Sequence, residues 1–312
     1  MAERRGLSSV ADVSLALVLV LAGVTALVAV VDTGRTDHDP SRSAHTAETL
    51  GASTFDVSYS LAPILVDDSE NVPAVDVESA PYDSADFDRS THGSATGHVA
   101  RAALSKARFP GEQGPVYPLA VGQGYERMLG ERLLVSLVGS SFATNVTAVW
   151  EPFDGATVRG VASFGQSIPR ETERSVVRTT VSSELPSTRT AAVDAATGPN
   201  GYAAVAAVVA DAIVNGSIGG TQRELETTGV ERAVTVSRFL RFADGVDGLD
   251  RRSFGDALGR SSADADAMTR LLSDTLATQL RAELHSAFET PGEAARAVST
   301  GEVTVAVTTW DR

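Results

Sequence analysis

Cysteine is absent from this 312-residue chain, which excludes a disulfide framework and any CxxC metal or redox motif. Lysine is almost absent too: of 26 basic residues only Lys106 is not arginine. The basic set is outnumbered by 40 acids, for a net charge of −14 and an isoelectric point near 4.8, so nucleic acid is not an expected partner. An acidic, arginine-biased composition of this kind fits salt-adapted proteins, whose acidic surfaces hold water, with codon bias alone as the alternative; the acidity reads as a solubility device rather than a binding site. At molar salt the Debye length is only about 3 Å, so the excess charge causes little long-range repulsion. Recognisable catalytic strings are missing as well: there is no HExxH and no Gly-x-Ser-x-Gly. No catalytic residue, cofactor or metal site is therefore expected. What remains, 43% hydrophobic residues with 12 prolines, describes a folded chain of one or two domains.

One long apolar run dominates the N-terminal end. Val13 to Val31 is nineteen residues without a charge, and at about 1.5 Å per residue a helix of that length nearly matches a hydrocarbon core of roughly 30 Å. Glu3, Arg4 and Arg5 precede it, and Asp32, Arg35, Asp37 and Asp39 follow it. The basic side belongs in the cytoplasm, which predicts a cytoplasmic segment 1–12, a transmembrane helix 13–31, a stalk 32–50 and an extracellular α+β domain 51–312. A cleavable secretory signal shares the basic start and the apolar run. Its apolar region is usually about 7 to 15 residues, however, and no Ala-x-Ala site immediately follows this one. Asp12 at the edge of the span either reaches the headgroups or pairs with a neighbour. Ala22, Gly23 and Ala26 are small enough to let another anchor approach closely.

The string Arg4-Arg5-Gly6-Leu7-Ser8-Ser9-Val10-Ala11-Asp12 before the apolar run resembles the class III signal of archaeal type IV pilin-like proteins. The resemblance implies cleavage between Gly6 and Leu7 by a prepilin-type peptidase. Bacterial type IV pilins carry an acid at the fifth mature position; counted from Leu7 that position is Ala11, and the acid, Asp12, comes one place later. The order of RGLSS, anchor, STFDVSYSLAPIL and RSTHGSATGHVARAAL also resembles an uncharacterised haloarchaeal single-pass membrane-anchored family encoded among type IV pilus-like or secretion components. That resemblance implies a setting at the cell membrane, with lipid and other anchored subunits as partners, and no reaction.

Beyond the stalk, Phe55, Val57, Tyr59 and Leu61 alternate with polar residues as a half-buried strand does. Residues 67–92 hold eight acids and one base, Arg89, with Pro73 and Pro81 among them, and predict an exposed acidic loop. Its spacing lacks the DxDxDG pattern of a calcium loop. Helices are expected over 121–138, 201–215 and from Asp264 to Phe288, where Met268, Leu271, Leu272, Leu276, Leu280 and Leu284 recur at three- and four-residue steps. The last is expected to fold onto the chain's own sheet. Residues 221–242 are expected helical, although Gly229 interrupts. Strands at 145–151, 157–164 and 175–182 predict an antiparallel meander, joined by a further strand at 303–308. Val146–Glu151 and Val305–Asp311 each end in Trp and an acid. Pro186 and the turn Thr197-Gly198-Pro199-Asn200 mark a candidate hinge near 186–200.

Candidate chemistry is sparse. His38, His45, His92, His98 and His285 are expected on the surface, since His92 and His98, six apart, do not share a helical face. Gly122-Gln123-Gly124 fits a turn before a helix rather than a phosphate loop. Glu171/Glu173 and Asp264/Asp266 would serve acid–base work only if folding brought partners to them. Asn145-Val146-Thr147 and Asn215-Gly216-Ser217 are N-glycosylation acceptors, so Asn145 and Asn215 are candidate glycan sites on an exported protein. The expected role is a non-enzymatic pilin-like or accessory subunit. A membrane-tethered extracellular hydrolase and a surface binding module are the alternatives.

Overall fold

The computed structural model describes residues 41–62, 84–111, 114–121, 124–137, 142–259 and 263–311, all within one unit, Pro40–Arg312. Helix α1 (Ser41–Ala52) leads into β1 (Thr54–Ser60), which pairs antiparallel with β2 (Asp88–Ser94). Helix α2 (Ala95–Ser105) starts where β2 stops, because the Ser94 hydroxyl accepts the Gly97 N–H at 3.1 Å and caps the first turn. The short hairpin β3 (Phe109–Gly111) and β4 (Gly114–Val116) follows, then α3 (Tyr125–Leu137). Strands β5 (Phe142–Trp150), β6 (Gly160–Gly165) and β7 (Ser175–Ser182) come next. Seven helices succeed them: α4 (Arg189–Ala196), α5 (Gly201–Ile218), α6 (Gln222–Glu226), α7 (Val230–Gly245), α8 (Arg251–Leu258), α9 (Ala265–Ala287) and α10 (Pro291–Ala297). Strand β8 (Glu302–Asp311) is the final element. The class is α+β, as composition and pattern predict.

Strand order in the four-stranded sheet is β6-β5-β8-β7, every pair antiparallel. The expected meander is therefore wrong in one respect: β6 and β7 do not pair, and β8 inserts between β5 and β7. The two Trp-terminated strings are neighbours in space, with Val146 opposite Val307 and Ala143 opposite Trp310. Every second residue points to one face: Val146, Ala148 and Trp150 on β5, Ala162 and Phe164 on β6, and Val303, Val305 and Val307 on β8 are buried. Helices α1, α2 and α3 pack on the sheet. Ser163 on β6 and Thr304 on β8, one step out of phase, are exposed.

Residues 41–50, expected in the stalk, are instead helical and docked. Ser43, Thr46 and Leu50 of α1 are buried, the Ser43 and Ser175 hydroxyls share a hydrogen bond of 2.7 Å, and Arg42 reaches Asp311 at 2.7 Å. Burial at three- and four-residue spacing explains the helix, which a polar composition alone concealed. Likewise 88–92, read as the end of the acidic loop, forms β2 because it has β1 to pair with. Residues 63–83 lie outside the described set.

The second half of the chain is a helical layer built on α5. Val205, Ala206, Val209, Ala210 and Ile213 of α5 are buried, and α9 packs along it with Leu272, Leu276, Leu280 and Leu284 inward. The long helix thus folds onto another helix and not onto the sheet, and Leu271 of the predicted stripe is exposed. By length and apolarity α5 alone among the described residues is able to cross a membrane. Its contacts with α4, α9 and α10 are those of a core helix. The expected 221–242 helix is two helices, α6 and α7, split at Gly229, whose φ of +91° favours glycine. The segment 186–200 lies within the unit Pro40–Arg312, where Arg189 Nε donates to Val298 O at 2.8 Å and Thr188 and Thr300 share a 2.9 Å bond, tying the start of α4 to the stretch before β8.

Candidate functional site

Where α2 passes under the β1/β2 hairpin it presents two polar side chains one turn apart, His98 and Arg101. His98 is buried, at 3% exposure, and not on the surface as its sequence context suggests. Its ring stacks on Phe55 at 5.1 Å, and its Nε2 lies 3.0 Å from the Phe55 carbonyl oxygen. A carbonyl only accepts, so Nε2 carries the proton. Nδ1 is then the acceptor for the Tyr125 hydroxyl of α3 at 2.9 Å. Tyr125 in turn meets Tyr59 of β1 edge-on at 5.5 Å. Both ring nitrogens are thus engaged, and His98 fastens the hairpin to α2 and α3.

Burial lowers the His98 pKa below 6.5, outweighing the opposing Phe55 hydrogen bond, and raises that of the Tyr125 phenol. An unfolded chain takes up the histidine proton near 6.5 while the folded one still resists it. His98 therefore costs no stability above that pH, and stability falls as pH drops through 6.5 toward the folded value. Melting temperatures measured between pH 8 and 5 are expected to show this decline. His98→Gln should remove that component and lower stability at pH 8 by about 1–2 kcal/mol through loss of the buried hydrogen bonds. A pH profile unchanged by the substitution would refute the assignment.

Arg101 extends the latch. Its Nη1 donates to Thr91 on β2 at 3.1 Å, and its Nε and Nη2 donate to one carboxylate oxygen of Glu184, just past β7. Burial works against the Arg101 charge, but Glu184 more than compensates and the pKa rises. Among the described residues Glu184 is the one non-glycine with positive φ, at +70°, a left-handed conformation that costs about 1–3 kcal/mol. The turn that places it is braced by the Ser182 hydroxyl on the Glu184 N–H at 3.2 Å and the Ser183 hydroxyl on the Leu185 N–H at 3.1 Å.

Three clefts run past this latch. One, of about 900 Å³, is lined by Tyr59, Asp88, Arg89 and Arg127. The second, about 270 Å³, shares Tyr59 and adds Arg101, Glu184, Ser217 and Arg238. The third, about 680 Å³, meets the second at Ser105 and Ala120 and holds Lys106, Arg108, Arg159, Arg241 and Glu126. Among the described residues eight of the chain's 26 bases line these clefts against three acids. A protein of net charge −14 thus concentrates positive charge in one place, which the overall charge conceals. Lys106 is paired with Glu126 at 2.6 Å, and Arg159 lies 3.9 Å from Glu151. Arg238 of α7 is half-buried, and burial lowers its pKa, with Arg241 and Arg89 adding to the effect and Tyr59 opposing it.

The other candidate residues do not gather here. His92 is exposed beside Asp56 at 3.1 Å, His45 is exposed on α1, and His285 packs edge-on against Tyr202 at 5.1 Å. Asp264 caps α9 by accepting the Ala267 N–H. No group of three or more His, Asp or Glu suited to a metal occurs among the described residues. The two glycan candidates differ. Asn145 is 6% exposed, its amide donates to Ser163 Oγ at 3.1 Å and Gln166 O at 3.0 Å, and its carbonyl accepts from Thr147. Asn215 is exposed on α5, with its amide on Asp211. Gly6, Leu7, Asp12, Ala22, Gly23 and Ala26 lie outside the described residues, as does His38. Sequence reading missed Arg101, Glu184 and Arg238. One signal was present: Arg238 stands four residues after Val234 and four before Phe242, on the inward stripe of α7.

Fold and site together define an α+β domain with a buried histidine latch beside basic clefts. The chain belongs to the DUF7284 family, a family of unknown function, whose model matches residues 11–310. No curated protein and no solved structure matches it.

Proposed function

We propose that the protein is a non-enzymatic, single-pass surface protein: the helix 13–31 anchors it, the α+β domain faces the exterior, and it serves as a pilin-like or accessory subunit of a type IV pilus-like or secretion assembly. The observation that carries this reading is the nineteen-residue uncharged run Val13–Val31 behind Arg4 and Arg5, with a folded domain beginning ten positions later at Ser41. Docking of α1 into the sheet supports it further, because a pull on the tether passes through the buried Leu50 and the Ser43–Ser175 bond into the core rather than peeling off a loop. Ala22, Gly23 and Ala26 supply a face on which anchors pack together.

Two measurements on cells test it. After alkaline carbonate washing the full-length chain is expected in the membrane pellet, and protease added to intact cells is expected to digest the domain. Recovery in the soluble fraction overturns the whole reading. Mass spectrometry of the N-terminal peptide is expected to begin at Leu7. A terminus at Met1 or Ala2 removes the pilin-type processing and leaves a plain anchor.

A further inference from the structure

Among the described residues Arg238 is a cation without an anion. Two other partly enclosed arginines have one: Arg101 has Glu184, and Arg251 has Asp244. No carboxylate pairs with Arg238 among the described residues, and the charged groups nearest in effect, Arg241 and Arg89, are cations. Withdrawing a guanidinium from water without a counter-charge destabilises a fold, and such a group is retained where something else supplies the charge.

The place to supply it is the cavity of about 270 Å³ in front of Arg238, whose other polar lining is Tyr59, Arg101, Ser105, Glu184 and Ser217. Its size suits one small group. Its charge is equally restrictive: Arg101 and Glu184 neutralise each other, so among the described lining residues Arg238 is the one uncompensated charge, and Glu184 repels a dianion. A planar monoanion able to take two parallel N–H bonds from one guanidinium meets both conditions. We propose that the Arg238 cavity is a carboxylate-binding site, filled by a small free carboxylic acid or by an Asp or Glu side chain of a docking polypeptide. The site is independent of membrane anchoring.

The test uses the full-length chain in non-ionic detergent, melted at constant ionic strength while chloride is replaced by acetate, by inorganic phosphate, or by a hexa-aspartate peptide. Without carboxylate, Arg238→Met is expected to melt higher than the parent, since an uncompensated charge is gone. Acetate is expected to raise the melting temperature of the parent and leave Arg238→Met unmoved, with binding weakened about tenfold or more. Arg238→Lys, which keeps the charge and loses the fork, is expected to fold like the parent and bind acetate more weakly. Tighter binding of hexa-aspartate than of acetate at equal carboxylate concentration assigns the site to a polypeptide, and the reverse assigns it to a free acid. Equal acetate responses in the parent and Arg238→Met, a stronger response to phosphate, or a loss of stability in Arg238→Met without ligand would each overturn the proposal.

Discussion

Trp150→Ala is expected to lower the free energy of unfolding by about 3–5 kcal/mol, read from urea titrations followed by far-ultraviolet circular dichroism. Trp150 is wholly buried at the end of β5, and its indole N–H donates to the Thr300 carbonyl at 2.9 Å. That carbonyl also accepts from Ser183 at 2.7 Å, and the Thr300 hydroxyl donates to Pro186 O at 2.8 Å. Three distant stretches of chain therefore converge on Thr300: the end of β5, the exit from β7 and the approach to β8. Removing the indole opens a cavity where they meet. Trp150→Phe keeps most of the volume and loses only the hydrogen bond, so its cost is expected nearer 1–2 kcal/mol. Equal losses for the two variants would mean that packing contributes little here.

Gly160→Val is expected to be at least as damaging, by about 3 kcal/mol or more, because the obstacle is backbone. A Cβ at Gly160 would lie 2.0 Å from the Ala103 carbonyl oxygen and 3.0 Å from the Ala107 nitrogen. The last turn of α2 rests directly on the first residue of β6, and neither side can retreat without lifting the helix off the sheet. Overpacking of this kind usually costs about 1–3 kcal/mol, and more where no flexible side chain can give way. Gly51 in α1 is the matched control: nothing lies within 4 Å of its Cβ position, so Gly51→Ala is expected to be neutral or to stabilise by up to about 1 kcal/mol. Loss of the His98–Tyr125 bond, which the same helix carries, should accompany the Gly160→Val defect as altered pH dependence.

Elements with a complete local pattern were readable from residues alone. The α9 stripe with its Asp264 cap, the apolar stripe of α5 and the alternation in β1 need no knowledge of the rest of the chain, because propensity, capping and periodicity act within a few residues. The same holds for the α+β class. Local pattern also named the interruption at Gly229, though not that it would divide one helix into two.

Partner choice was another matter. That α9 chooses α5 over the sheet, that β8 slips between β5 and β7, and that α1 docks instead of standing as a stalk all depend on contacts between residues far apart in the chain. Ser43 meets Ser175, and Trp150 meets Thr300. Such contacts leave only a faint trace in a single sequence, here the twin Trp endings of β5 and β8. The site was least legible for the same reason. His98 looks like any histidine beside polar neighbours until Phe55 and Tyr125 close around it, and the basic clefts vanish in a net charge of −14. Residue spacing thus determined which segments become helix or strand, since those forces are local. Only the tertiary fold decided which side chains are taken out of water, since burial is set by whatever distant segment packs against them.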